Sequence, residues 1–376
     1  MSKIYLDNAA TTQIHSEVLD EMSQVMRDCY GNPSSIHSFG RKSKSLIETA
    51  RKKISGFLNA APGEIFFTSG GTEADNTCIN CCIKCLSIKH AVTSKLEHHA
   101  VLHTLEKLEK DGVVKLTYVK INNRGEIDID DLNKILQKNP KTFVSLMHAN
   151  NEIGTKMSLN KIGSICKDNN AIFHSDTVQT MAHYKFDLSN TPVDFVAAGA
   201  HKFHGPKGVG FLYIDSKITI NPLIYGGAQE RNMRAGTENL YGIVGMAKAM
   251  ELAYRDLEKD KEYVSGLKYY MIDELNKNIS NVSFNGNIDK ETSLYTILNV
   301  SFPPTDLSDM LIYNLDLLGI ACSSGSACSS GSNTGSHVLK AINYSTERPA
   351  LRFSFSRYNT KKEIDLVIKE LKSIFI

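Results

Sequence analysis

The chain has 376 residues, a formal net charge of +2, and 41% hydrophobic against 22% charged residues. That length allows two domains and a sizeable core, and so small a charge excludes a strong field drawing the chain to nucleic acid or anionic lipid. No apolar run reaches membrane-spanning length and the start, MSKIYLDNAATT, lacks the charged-then-apolar pattern of a secretory signal, so the expected setting is cytoplasmic, without membrane or nucleic-acid partners.

In chain order, EIFF (64–67) leads through Gly-Gly into a helix, and HAVTS (90–94) precedes a second helix from about His98 to Lys110. VVKLTYV, TFVSLMH (142–148), AIFHSD (171–176), VDFVAAG (193–199) and GVGFLYI (208–214) continue the series. Strands that alternate with helices, several of them apolar throughout, predict a mainly parallel sheet covered on both faces. Ligands in such folds sit beyond the carboxyl ends of the strands, so the polar residues there are the candidates. From about Tyr241 the pattern changes: Ile243, Met246, Met250, Ala253 and Leu257 mark one face of a long helix leading to a smaller domain. Strands are expected there near 282–285, 294–302 and 350–355, with helices near 305–317 and 360–374.

Eight cysteines in a chain this long do not suggest a disulfide scaffold. Cys78, Cys81, Cys82 and Cys85 could be read as two successive CxxC pairs of a metal site or a sulfur carrier. Their i, i+3, i+4, i+7 spacing is also one helix face, whose neighbours diverge too much to enclose one ion. The expectation is a buried helix face and no metal. The remaining puzzle is ACSSGS, written twice over 321–332. Ser and Gly favour a loose, exposed stretch, an odd setting for cysteine. It is either a spacer with a cysteine tucked back into the core or an arm that carries a thiol.

At the strand ends, FFTSGGTEADN (66–76) offers backbone N–H groups and the Thr72 hydroxyl to an anion, although a plain strand–helix turn with a Thr cap reads as well. HSDTVQT presents Asp176 and Gln179, and AHKFHGPKG presents His201 and Lys202. A lone strand-end Asp is commonly a helix cap, and a lone lysine is commonly just solvated. Together, an anion cradle, a carboxylate, an amine and the rings of EHH (97–99) are the parts pyridoxal 5'-phosphate needs.

These stretches carry a resemblance. YLDNAATT, GNPSSIH, FTSGGTEADN, SKLEHHAVL, HANNEIG, HSDTVQ, AHKFHGPKGVG, GGAQERNMRAGTEN, SSGSACSSGS and LRFSFSRYNT, in this order, are similar to the cysteine desulfurases of the NifS/IscS-like group in the class V aminotransferase superfamily. The resemblance implies a fold type I α/β architecture, with a large domain (16–256) around a mainly parallel seven-stranded sheet. A smaller α+β domain (1–15 and 257–376) would carry the catalytic cysteine loop at about 321–337.

It also implies roles. Lys202 would hold the cofactor covalently, Asp176 would pair with its ring nitrogen, Gln179 with its phenolic oxygen, and His98 would stack on the ring beside Asn151. Gly71, Thr72 and His201 would bind the phosphate, and Thr237 would reach the phosphate of a neighbouring subunit, which makes a homodimer with composite sites. Arg352 would clamp the substrate carboxylate with its bidentate fork. Cys328, at the end of SSGSAC, would be the nucleophile, with Cys322 marking a strand end. The loop is then an arm delivering a thiol that attacks the sulfur of L-cysteine, leaving a persulfide and L-alanine. His98 is the candidate for deprotonating that thiol. The sulfur would pass to an iron–sulfur scaffold or another acceptor protein, tRNA thiolation included. Selenocysteine lyase and other aminotransferase-type chemistries are the neighbouring alternatives. Gly199 stands where many relatives have a phosphate-binding Ser, which implies weaker cofactor retention.

Overall fold

The computed structural model describes residues 3–324, 335–345 and 347–375. After a short strand β1 (Ile4–Tyr5) come β2 (Ile65–Thr68), β3 (His90–Thr93), β4 (Lys115–Tyr118), β5 (Thr142–Ser145), β6 (Ile172–Asp176), β7 (Phe195–Gly199) and β8 (Gly210–Ile214). The last seven form one sheet in the order β2-β8-β7-β6-β5-β3-β4. Its pairs are parallel except β8, which runs antiparallel to both β2 and β7. Two antiparallel steps restore the direction, so β2, β3, β5, β6 and β7 all end on the same edge.

Alternation along the strands sorts their side chains onto two faces. Val92, Val144, Val196 and Phe211 share a core with α1 (Ser16–Asp28), α2 (Ser38–Phe57) and other helices on one side. Ala91, Phe143, Ala197 and Leu212 pack on the other side with α3 (Gly71–Cys85) and α4 (His99–Lys110). Both faces are apolar because both are covered, which is why these strands read as continuous apolar runs. The cysteine-rich segment lies on α3. Cys78, Cys81 and Cys82 are buried among Ile79, Ile83, Val101 and Leu105, and Cys85 packs at their margin. Burial raises the thiols of Cys78, Cys81 and Cys82, so they stay protonated and act as small apolar groups.

Helices α5 (Ile129–Lys138) and α6 (Leu159–Asp168) complete the crossovers. The expected long helix after residue 240 is two, α7 (Leu240–Arg255) and α8 (Leu257–Asn278), separated at Asp256. A second sheet of β9 (Ser283–Asn285), β10 (Ile297–Ser301) and a later strand, β12 (Ala350–Ser354), follows, in the antiparallel order β12-β10-β9. Between them come α9 (Leu311–Leu317), strand β11 (Ile320–Ala321) and α10 (His337–Ala341), and β12 spans Ala350–Ser354 before α11 (Lys361–Phe375). Ile4 and Leu6 from the start of the chain belong to this second core, because β1 pairs in parallel with β11. That pairing brings the DNAATT segment across to the large sheet: Thr12 N–H donates to the His201 carbonyl at 2.9 Å. No helix of the described residues is long and apolar enough to cross a membrane.

Candidate active site

The shared edge of β2, β3, β5, β6 and β7 opens into a cleft of about 210 Å³. Gly71, Thr72, His98, Asn151, Asp176, Gln179, His201, Lys202 and Arg352 all line it, nine residues spread over 282 positions of chain.

At one end Gly70 precedes α3 as its N-cap; it has no side chain to cap an N–H, and its φ of +151° suits glycine. The first N–H groups of α3 therefore face the cleft edge without capping partners, in the manner of an anion site. A Cβ on Gly71 would lie 2.5 Å from Val178 Cγ2, so only glycine allows this close approach. Gly199, at the end of β7, leaves a small space beside Gly71 N and the His201 ring; a Cβ there would meet them at 3.5 and 3.7 Å, ordinary contacts. Burial, and then Lys202 and Lys207, hold His201 down to about 4, so its ring is neutral.

Along the floor, Asp176 is the last residue of β6 and 6% exposed. Its Oδ1 accepts the Val178 N–H at 2.8 Å. Burial, then the neighbouring Asp75, raises Asp176 to about 6. Gln179 donates to the Ala9 carbonyl at 3.0 Å. Lys202 closes the helical turn after β7, and its Nζ donates to the carbonyls of Ala9 and Ala10 at 2.6 and 2.8 Å. His98 caps α4: its Nδ1 accepts the Ala100 N–H at 3.2 Å, so the neutral ring carries its proton on Nε2. Burial keeps that ring neutral by lowering its proton affinity.

Arg352, on β12, enters from the smaller sheet and is 1% exposed. Nη2 donates to Asp7 Oδ1 at 2.7 Å and Nη1 to the Asn151 carbonyl at 2.9 Å, while Nε has no acceptor among the described residues. Ser323 donates to the same Asp7 oxygen at 2.9 Å. Asp7 thus holds the guanidinium in place; removing one partner of so buried a pair typically costs about 3–5 kcal/mol.

Thr237 is not in this cleft. It lies exposed in a separate hollow with Ser69, Gly208, Glu230 and Arg234, and the Arg234–Glu73 ion pair (2.9 Å) ties that hollow to the start of α3. Cys328 lies outside the described residues, as does most of the doubled hexapeptide. Cys322 follows β11 and packs against the smaller core, where burial pushes its thiol up to about 12.

Reading the sequence alone overlooked four contributors: Asp7, the carbonyls of Ala9 and Ala10, and Asp75. The first three lie in DNAATT, whose position far from the other motifs concealed that it forms part of the floor. Also overlooked was His337. Its Nε2 pairs with the Glu97 carbonyl at 3.0 Å and its Nδ1 with His99 Nε2 at 3.2 Å. These bonds anchor α10 beside the element that carries His98.

Residues 4–367 match the family model of the aminotransferase class-V proteins. The chain is 44% identical to the cysteine desulfurase IscS of Dictyoglomus turgidum, over 99% of this chain and 94% of that one. A solved NifS-like protein superposes with a TM-score of 0.91 at 36% identity, covering 99% of both chains. A structure described as SspA in complex with cysteine superposes at 0.83 with 31% identity, over 96% of this chain and all of the other.

Proposed function

The chain belongs to the aminotransferase class-V family and is a cysteine desulfurase, and from that premise we propose that the cleft binds pyridoxal 5'-phosphate and L-cysteine and that Cys328 receives the sulfur. The observation that carries this reading is the convergence of Lys202, Asp176, His98, the uncapped start of α3 and the buried guanidinium of Arg352 on one cavity.

The residues fit the cofactor. An amine, a carboxylate, a flat ring and an anion cradle face one space, and Gly199 leaves room in the cradle. Gly71, Thr72 and His201 would hold the phosphate, Asp176 the ring nitrogen, Gln179 the phenolic oxygen, His98 the ring face and Lys202 the aldehyde carbon. When bound, the group supplies an electron sink that acidifies the α-carbon of an amino acid and loosens bonds at its β-carbon. Arg352, with Asn151 beside it in the cleft lining, would hold the substrate carboxylate and so orient the substrate. Lys202, the one lysine lining the cleft among the described residues, would be the amine that moves the α-proton of the substrate. His98, whose proton sits on Nε2, enters as a donor; to serve as a base it must first release the Ala100 N–H. The Cys328 thiolate attacks the substrate sulfur, an S–S bond forms as the Cβ–S bond breaks, and protonation of carbon gives L-alanine.

A homodimer with Thr237 reaching the partner's phosphate agrees with Thr237 lying apart from its own chain's cleft. It is further supported by exposed Tyr30, Ile36, Phe39 and Tyr225. The division at 16–256, the cytoplasmic setting and an iron–sulfur scaffold as acceptor complete the reading.

Peptide mass mapping after incubation with L-cysteine tests it. One added sulfur on Cys328, with alanine released, is the expected result; alanine without that adduct would remove the covalent relay. Gly199→Ser is expected to tighten cofactor retention about fivefold, the worth of one neutral hydrogen bond of about 1 kcal/mol. Dialysis against a competing aldehyde scavenger reads it, and unchanged or faster loss would show that the space is not part of the phosphate cradle.

A further inference from the structure

Behind the floor of the cleft stands a carboxyl group to which no role has been given. Asp75 lies in the second turn of α3, is 1% exposed, and faces the same side of the sheet as His174 and Asp176 of β6. One carboxylate oxygen each of Asp75 and Asp176 and a ring nitrogen of His98 lie within 4.8 Å of one another. Asp75 Oδ1 is 3.3 Å from His174 Nε2, and His174 Nδ1 pairs with Ser145 Oγ at 2.8 Å.

We propose that Asp75 is a positioning residue for Asp176: a buried carboxylic acid that donates its O–H to His174 Nε2, so that Asp176 is the single ionised carboxylate of the pair beneath the cofactor ring. The proposal rests on the cofactor reading given above.

Three observations carry it. First, Asp75 Oδ1 and His174 Nε2 lie 3.3 Å apart, and both are buried without another partner among the described residues. A proton on Asp75 satisfies both atoms in one bond, with His174 donating from Nδ1 to Ser145. Second, two carboxylates this close in dry surroundings cannot both remain ionised at small cost. Third, burial pushes Asp75 up to about 8 and His174 down to about 4, while Asp176 is raised less, to about 6. At neutral pH the proton therefore sits on Asp75, the imidazole is neutral and Asp176 keeps its charge. The other groups facing this cluster are Glu97 ahead of α4, His98 at its cap, Lys202 after β7 and Cys78 one turn along α3. Glu97 is itself buried and raised well above the carboxylate range, so it adds no charge beside Asp176.

The test uses holoenzyme with carbon-13-labelled aspartate. Infrared spectra at neutral pH are expected to show a carboxylic-acid C=O band that Asp75→Asn removes. The pH titration of the cofactor's visible absorbance should stay within about 0.3 unit of wild type, because one neutral group replaces another. Cofactor uptake without that band, or an Asp75→Asn midpoint displaced by about one unit or more, overturns the proposal. If Asp75→Asn does not fold, His174→Asn serves: a changed band position supports the O–H to Nε2 bond, and an unchanged one overturns it. Wild-type protein that takes up no cofactor overturns the reading of the cleft and this proposal with it.

Discussion

Lys202→Ala is expected to lower alanine formation by at least about a thousandfold, the scale seen when a covalent catalyst is removed. The cause is geometric. Lys202 ends the short turn after β7, and its Nζ is held at the carbonyls of Ala9 and Ala10 in the lining of the cleft, with Asp176 and Gln179. No other lysine lines that cavity among the described residues, so no second amine stands ready to replace it. The substitution should also remove the visible absorbance of lysine-bound cofactor. Turnover within tenfold of wild type would mean that Lys202 is merely a partner of the two carbonyls.

Cys328→Ser is expected to reduce alanine and persulfide formation by a comparable factor, at least about a thousandfold, while cofactor absorbance persists. A hydroxyl differs from the thiol by one atom but ionises far less readily and attacks sulfur poorly. A free cysteine is a few per cent thiolate at neutral pH, enough for attack once the substrate is held. Cys322→Ser supplies the contrast: its thiol, pushed up to about 12 by burial against the smaller core, has no thiolate to offer. That variant should keep its persulfide chemistry. Sulfur found on Cys322 with Cys328 intact would reverse the assignment.

The parallel sheet, its position in the chain and most of the cleft were legible in the residues because strand alternation with helices forces a small set of architectures. Within those, strand-end polar residues have one place to go. EIFF, HAVTS, TFVSLMH and VDFVAAG read as strands because each is a short, mostly apolar, β-rich run and both faces of the sheet are covered. The cysteine-rich stretch read as a helix face for the same reason: spacing alone sets which side chains share a side. The single helix expected after residue 240 is two, because the break at Asp256 has no glycine or proline to mark it.

What sequence by itself determined was the chemistry available: an amine, a carboxylate, rings, an anion cradle, a guanidinium and a thiol, each tied to a local motif. What only the tertiary structure decided was who stands behind them. Asp7 reaches Arg352 across 345 residues because β1 pairs with β11, and Asp75 meets His174 because α3 packs on one face of β6. Neither contact leaves a periodicity in the chain. A hydrogen bond between distant residues depends on packing angles and strand order, and these emerge only when the whole core closes.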